Sequence, residues 1–435
     1  MNLPIDVLLL LAVVPAYLWG FRQEMILMAY ALAGYLGVAM WHPLSSYWNL
    51  PTQGRGRYVF LLQWMLLLII ITGAAVIPTL NNVLELWSAE IDFDGYTPAY
   101  REYHDGAIQI AEAVRLLDEG KNPYVETYEN TPLRFFGFQD VGEAITENPA
   151  LDYLAYLPGF LWLSWPAYKL AAFVGLPYDQ RLVYLLFYIV LILLLPHLTT
   201  RPSYKLALTI AVGLNPLLVK PIITGMNDAA VLMFVIGSVL LLRRNKWVAS
   251  ALFFGIACSL KQFAWFIAPF YLLLAIHREN GLDWKRGLKM VVIMGVVMFI
   301  VTAPFAVWDW QAFFEDVFLY PGGQVGVNYP ILGYTVGTLL IGVGVIPSHY
   351  SDFPFMLLQL IFGMPLLIFL LHRQWRNNYV GEMFLFSGIF VFGLGLVSRF
   401  FQDNYIGFVA VLISVGLILR DRTAMESISD GASIK

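Results

Sequence analysis

Apolar residues recur along this chain in runs long enough to cross a bilayer, separated by short polar turns. A helix needs about 20 mainly apolar residues to span the hydrocarbon core. Runs that meet or approach that length lie at 4–20, 25–41, 58–80, 153–174, 181–198, 204–219, 228–242, 247–260, 262–277, 288–307, 331–347, 353–371, 382–397 and 404–420. Several are short, so the pattern predicts an all-α polytopic membrane protein with about 11 to 13 transmembrane helices in a single domain over residues 1–435. The segment 81–152 interrupts the pattern as one long polar loop, and 421–435 forms a short polar tail.

Short loops rich in Lys and Arg stay cytoplasmic. Gly54 to Arg57, Arg243 to Lys246, the stretch from His277 to Lys289, and the tail with Arg420 and Arg422 therefore read as inside. The opposite helix ends then bring 81–152, Gly225 to Asp228, Lys261, 308–330 and Ser398 to Tyr405 to one external surface. Parity fails at 153–174 and at 331–347, which cannot cross fully if Arg201, Lys205, Arg373 and Arg376 are inside. Both runs contain helix breakers (Pro158 and Pro166; Gly333, Gly337, Gly342 and Gly344), which predicts re-entrant or interfacial segments there, or else a miscounted span.

Composition agrees with the class. Apolar residues make up 59% and charged residues 13%, with a mean hydropathy of +0.68, far from the roughly 25% charged of soluble domains. The net charge of -4 and the lack of a long basic run exclude nucleic acid as a partner. Cys258 is the only cysteine, so neither a disulfide nor a thiolate metal site is available, and it reads as a small core residue. The first apolar run has no basic flank before it and no small-residue cleavage site after it, which reads as a retained span.

The polar loop carries Asp92, Asp94, Glu102, Asp105, Glu112, Asp118, Glu119, Asp140, Glu143 and Glu147. Within it Ala107, Ile110, Ala111, Val114 and Leu117 recur at helical spacing, with Asp105, Gln109 and Glu112 on another face. This predicts an amphipathic juxtamembrane helix that starts near Asp105, is capped by Gly120 and is stopped by Pro123. Asp105 itself reads either as a helix N-cap or as a functional carboxylate.

Asp105, then Gly120 fifteen residues later, then Asn122-Pro123-Tyr124 and Tyr156-Leu157-Pro158, resemble the first external loop of the GT-C superfamily of glycosyltransferases. The likeness is nearest to the polyprenyl-phosphate-mannose-dependent group, glycosyltransferase family eighty-seven. Gly225 to Asp228, Gly255 to Lys261 followed by Pro269, and Arg399 to Tyr405 resemble later motifs of that group. The departures are two extra apolar runs before the loop, and Tyr-Leu-Pro where relatives often have Tyr-Pro-Pro. The resemblance implies a GT-C-like fold in a prokaryotic plasma membrane, with the active face external. It also implies a polyprenyl-phosphate hexose donor, mannose above all, and an acceptor hydroxyl on a glycolipid, glycan or protein, with inversion at the anomeric carbon.

In that frame Asp105 is the general base. His104, Gln109, Tyr124, Asn227, Asp228, Lys261, Gln262, Arg399 and Asp403 bind substrate. Lys261 and Arg399 are placed to offset charge growing on the leaving phosphate. Plainer readings stand beside these: Lys261 snorkelling to the interface, Arg399 paired with Asp403, and Asp228 capping the next helix. The wealth of Trp, Tyr and Phe reads mostly as interfacial belt and core, with some rings lining a prenyl groove. The six His are scattered, with no two at helical i, i+4 spacing, so no cofactor or metal is expected, although Asp105 with Asp92 or Asp94 offers oxygen ligands. A secondary transporter is the competing class, but the loop has no counterpart in the second half of the chain. A non-catalytic envelope scaffold would leave the convergence of Asp105, Lys261 and Arg399 on one face without a reason.

Overall fold

The computed structural model of the chain describes residues 4–17, 23–41, 55–90, 97–136, 148–278, 281–325 and 329–420. Asp92, Asp94, Asp140, Glu143, Glu147, Gly54, Arg422 and the tail 421–435 lie outside the described residues.

Among the described residues, helices dominate and the only strands are two-residue pairings. Five helices are long and apolar enough to cross a membrane: Arg57–Ser88, Gln180–Leu198, Trp284–Trp308, Phe355–Arg376 and Asp403–Arg420. A sixth crossing comes from Pro202–Gly213 and Pro216–Thr224, bent by 51° at a break where Pro216 cannot donate a backbone bond. Ile5–Tyr17, Met25–Ala39, Trp247–Leu260, Phe263–Ile276 and Val380–Leu396 are apolar but shorter than a full span. The 11 to 13 expected runs thus separate into long and short helices. Several short ones end where the backbone unwinds to present a polar residue, as at Lys261 and Ser398.

Neither run that broke parity forms a long span. Gly159–Val174 contains Pro166 and ends at Gly175 in a left-handed conformation. Its start packs on the Ser259 carbonyl beside Lys261, and toward its end Lys169 pairs with Asp118 of the polar loop at 2.8 Å. Residues 331–347 form only the short helix Val336–Gly342, preceded by Leu332–Gly333 pairing in parallel with Phe400–Phe401.

The polar loop forms the predicted helix, Asp105–Asp118. Gly120 has φ +74°, and the bonds Gly120 N to Leu117 O and Lys121 N to Leu116 O close its end. Two details differ from expectation. His104, not Asp105, is the N-cap, its Nδ1 accepting from Gly106 N at 3.0 Å. The stripe holding Gln109 is also not turned to water. A strap of residues 148–158 lies over it, so the helix is held between the strap and the bundle.

A buried ion pair fixes this layer to the membrane helices. Arg181 and Asp179, both fully buried, pair at 2.7 Å. Arg181 also donates to the carbonyls of Asn82 and Glu102 and lies 4.2 Å from the Tyr103 ring centroid. The backbone N–H of His104 bonds Thr224 O at 2.7 Å, so the residue before Asp105 is tied to the end of the bent span.

Candidate active site

One cavity of about 470 Å³ opens where the polar loop meets the helix ends. Its lining brings together His104, Asp105, Gln109, Asn227, Lys261, Gln262 and Arg399, which are scattered over nearly 300 positions of sequence. Apolar side chains of Phe355, Met356, Val391 and Leu394 complete the wall.

Asp105 occupies the first helical position with its side chain 31% exposed. Its Oδ1 accepts from Gly106 N at 2.6 Å and its Oδ2 from Asn148 Nδ2 at 3.3 Å. Partial exposure leaves an oxygen within reach of a ligand. The glycine of the His-Asp-Gly triplet has a steric reason, because a Cβ at Gly106 would overlap the Tyr156 hydroxyl. Gly225 has φ +104°, and a Cβ there would meet Ala107 and Arg181. That turn delivers Asn227 to the cavity and Asp228 to the layer behind it.

Lys261 is not a free cation. Its ammonium lies 2.5 Å from Asp228 Oδ1 and 3.3 Å from Asn227 Oδ1, and 4.7 Å from the Tyr405 ring centroid. Asp228, 1% exposed and first in the helix Asp228–Arg243, also accepts from Asn404 Nδ2 at 2.9 Å. Asp228, assigned to substrate from the sequence, does not line the cavity and instead pairs with Lys261, which does.

Arg399, 3% exposed, donates through Nε to the Tyr329 carbonyl and through Nη1 to the Ser351 carbonyl at 3.2 Å, while its Nη2 has no partner. Burial pushes the guanidinium down from its ordinary value, with Asp352 opposing. Among the described residues it forms no ion pair with Asp403. Asp403 is exposed, caps its own helix through Asn404 N and does not line the cavity, which corrects its assignment to substrate.

Two further assignments change. Gln109 touches the cavity, but its Nε2 donates to the carbonyls of Ala150 at 2.6 Å and Tyr153 at 2.8 Å, so its amide holds the strap. Tyr124 is buried away from the cavity, donates to Tyr156 O at 2.7 Å and packs edge-on against Phe305 and Phe313. Gln262 lines the cavity as the residue before the helix Phe263–Ile276.

Sequence reasoning missed the tyrosines. Tyr156, Tyr320, Tyr329 and Tyr405 line the cavity, and Tyr153 stacks on Tyr320 at 4.7 Å. Burial first, then the charge of Asp105, pushes the Tyr156 and Tyr329 hydroxyls up from their ordinary values. For Tyr320 burial and Tyr329 act before Asp105. Asp316 was missed as well. It is buried behind the wall, accepts from Leu154 N of the strap at 2.7 Å, and burial pushes its carboxyl up to about 8. No spacing rule links Asp316 to Leu154, 162 positions away.

Among the described residues three buried polar atoms of the cavity lining have no partner: Tyr320 Oη, Arg399 Nη2 and Asn404 Oδ1. Buried polar groups are ordinarily satisfied, so these three are available to a polar ligand. Among the described residues no group of three or more His, Cys, Asp or Glu is arranged to hold a metal.

The fold and this cavity define a polytopic all-α membrane protein with a polar site at one end of its bundle. A family model, Glycosyltransferase family 87, matches residues 153–391, more than half of the chain. The chain belongs to that family, and is a membrane glycosyltransferase. The match takes in Asn227, Asp228, Lys261 and Gln262, whereas Asp105 and Arg399 fall outside it. No curated protein matches the chain.

Proposed function

We propose that the protein moves a hexose, mannose above all, from a polyprenyl phosphate to an acceptor hydroxyl at the external face of a prokaryotic plasma membrane, with inversion. The observation that supports the reading is a cavity that brings a helix-terminal carboxylate, Asp105, together with Lys261 and Arg399, the latter with a buried Nη2 that has no partner among the described residues. A sugar phosphate offers hydroxyls to Asn404 Oδ1 and the tyrosines, and phosphate oxygens to Arg399 Nη2. The apolar wall at Phe355, Met356 and Leu394 suits the first units of a prenyl chain.

In this reading the acceptor oxygen attacks the anomeric carbon on the side opposite the phosphate. Its proton passes to Asp105 as the new bond forms, and the electron pair of the breaking bond leaves on the lipid phosphate. General-base help of this kind is worth roughly 100- to 10,000-fold. Arg399 carries most of the phosphate stabilisation, because Asp228 already offsets the charge of Lys261. No metal or cofactor takes part.

The test is release of polyprenyl phosphate from polyprenyl-phosphate mannose by the purified protein in nanodiscs. Asp105→Asn is expected to lower release at least 100-fold, the low end of the general-base range. Its fold should persist, since Asn retains an oxygen for Gly106 N. Passage of intact lipid-linked sugar across a bilayer with no release would instead make the protein a transporter, and normal release by the Asn variant would remove Asp105 as base.

A further inference from the structure

We infer that the end of the bundle away from the cavity holds a binding site for an anionic phospholipid. This inference does not rest on the transferase reading. The helix Phe355–Arg376 has Phe355 on the cavity wall, and its 22 residues rise about 30 Å, a membrane thickness. At its far end lies a second cavity of about 610 Å³, lined by Leu272, Ile276, Gly287, Val291 and Leu371. Trp284 and Trp375 frame it, and His372 is its one titratable lining residue.

The groove is built, not a gap between loosely apposed helices. Gln374, fully buried, donates to Phe270 O at 2.9 Å, and Asn378 Nδ2 donates to Leu273 O at 3.0 Å, clamping one wall to the helix Phe263–Ile276. The pairing of His277 with Leu282 closes the end, with the His277 ring 5.3 Å from that of Trp375. Pro269 within its helix, and the missing side chain at Gly287, keep the space open.

The open side faces lipid: only 17% of the apolar windows of Trp284–Trp308 and Phe355–Arg376 is buried inside the protein. An acyl chain suits the lining, and the flanking charge selects its headgroup. Lys285 and Lys289 stand one turn apart beside Trp284 and Leu288, and Arg376 stands one turn beyond His372. All three cations are exposed, and among the described residues none has an ion-pair partner. The Asp283 carboxylate nearby is engaged in capping its own helix through Arg286 N at 3.0 Å. A phosphodiester headgroup over an apolar groove meets both features, and tryptophans at this depth fit the interface.

The experiment uses the full chain in phosphatidylcholine vesicles containing either a photoactivatable phosphatidylglycerol or a photoactivatable phosphatidylcholine, with adducts mapped by peptide mass. The expected result is preferential phosphatidylglycerol labelling within 272–291 and 371–376. Labelling should fall at least tenfold in Lys285→Gln/Lys289→Gln/Arg376→Gln, and Val291→Trp, which fills the groove, should lose it without any change of charge. Equal labelling by the two lipids, adducts elsewhere, or labelling unchanged in the triple variant would overturn the assignment. Sugar-transfer activity is not the readout, so failure of the proposed reaction leaves this result intact.

Discussion

Replacing Lys261 by Met isolates the energetics of the cation held by the turn at Gly225 to Asp228. The substitution keeps the stem volume but leaves the Asp228 carboxylate, 1% exposed, with Asn404 as its remaining side-chain donor. Breaking a buried pair by removing one partner costs about 3–5 kcal/mol. The first-turn position of Asp228 offsets about 1 kcal/mol of that through the helix dipole, so a loss of about 2–4 kcal/mol is expected. Asp228→Asn should cost less, because the Lys261 side chain is 14% exposed and can turn its ammonium into the cavity. The double variant removes both charges, and its loss should fall short of the sum of the singles by about 2 kcal/mol. Equilibrium unfolding of the four proteins in mixed micelles measures this cycle. A Lys261→Met loss below about 0.5 kcal/mol, or additivity within that margin, would refute the claim that Asp228 holds the Lys261 charge.

Arg399→Met should destabilise by about 1–3 kcal/mol, because the buried carbonyls of Tyr329 and Ser351 lose their donor. Arg399→Lys should restore part of any transfer activity but not all, since an ammonium cannot reproduce the fork; thermal unfolding and turnover measured together separate the two effects. For Asp316, the folded carboxyl titrates at about 8 against 3.8 for the free group, so the folded state holds the proton more tightly and stability falls as pH rises from about 4 to 8. Asp316→Asn should lose that slope relative to the parent protein in pH-dependent melting, and an identical slope would remove Asp316 as its source. In a Cys258→Ala background, cysteines at the exposed positions 121 and 403 should label from outside, and at 245 and 285 from inside; label reaching 121 only from the cytoplasm would invert the orientation.

Hydropathy made the membrane class legible, since it is decided by local composition. The juxtamembrane helix was legible too, down to Gly120, because its periodicity and cap are local signals. What escaped was decided by partners far off in sequence. Gln109 and Tyr124 look like ligand contacts until the strap arrives to take their polar atoms. Asp403 next to Asn404 illustrates the limit: one residue turns outward and its neighbour reaches Asp228, 176 positions away. The tyrosines around Asp105 were hidden among the 24 in the chain, most of which interfacial packing explains equally well.

The cavity draws its carboxylate from residue 105 and its guanidinium from residue 399, with His104 bonded to Thr224 between them. At 5–20 residues per second of synthesis, about 15 to 60 s separate the appearance of these two side chains. Through that interval the acidic loop exists without the helices that will enclose it. The active site is thus a late event of biogenesis, completed only when the last pair of helices enters. A chain interrupted before Ser398 would insert most of its membrane helices yet lack the wall bearing Arg399 and Tyr405.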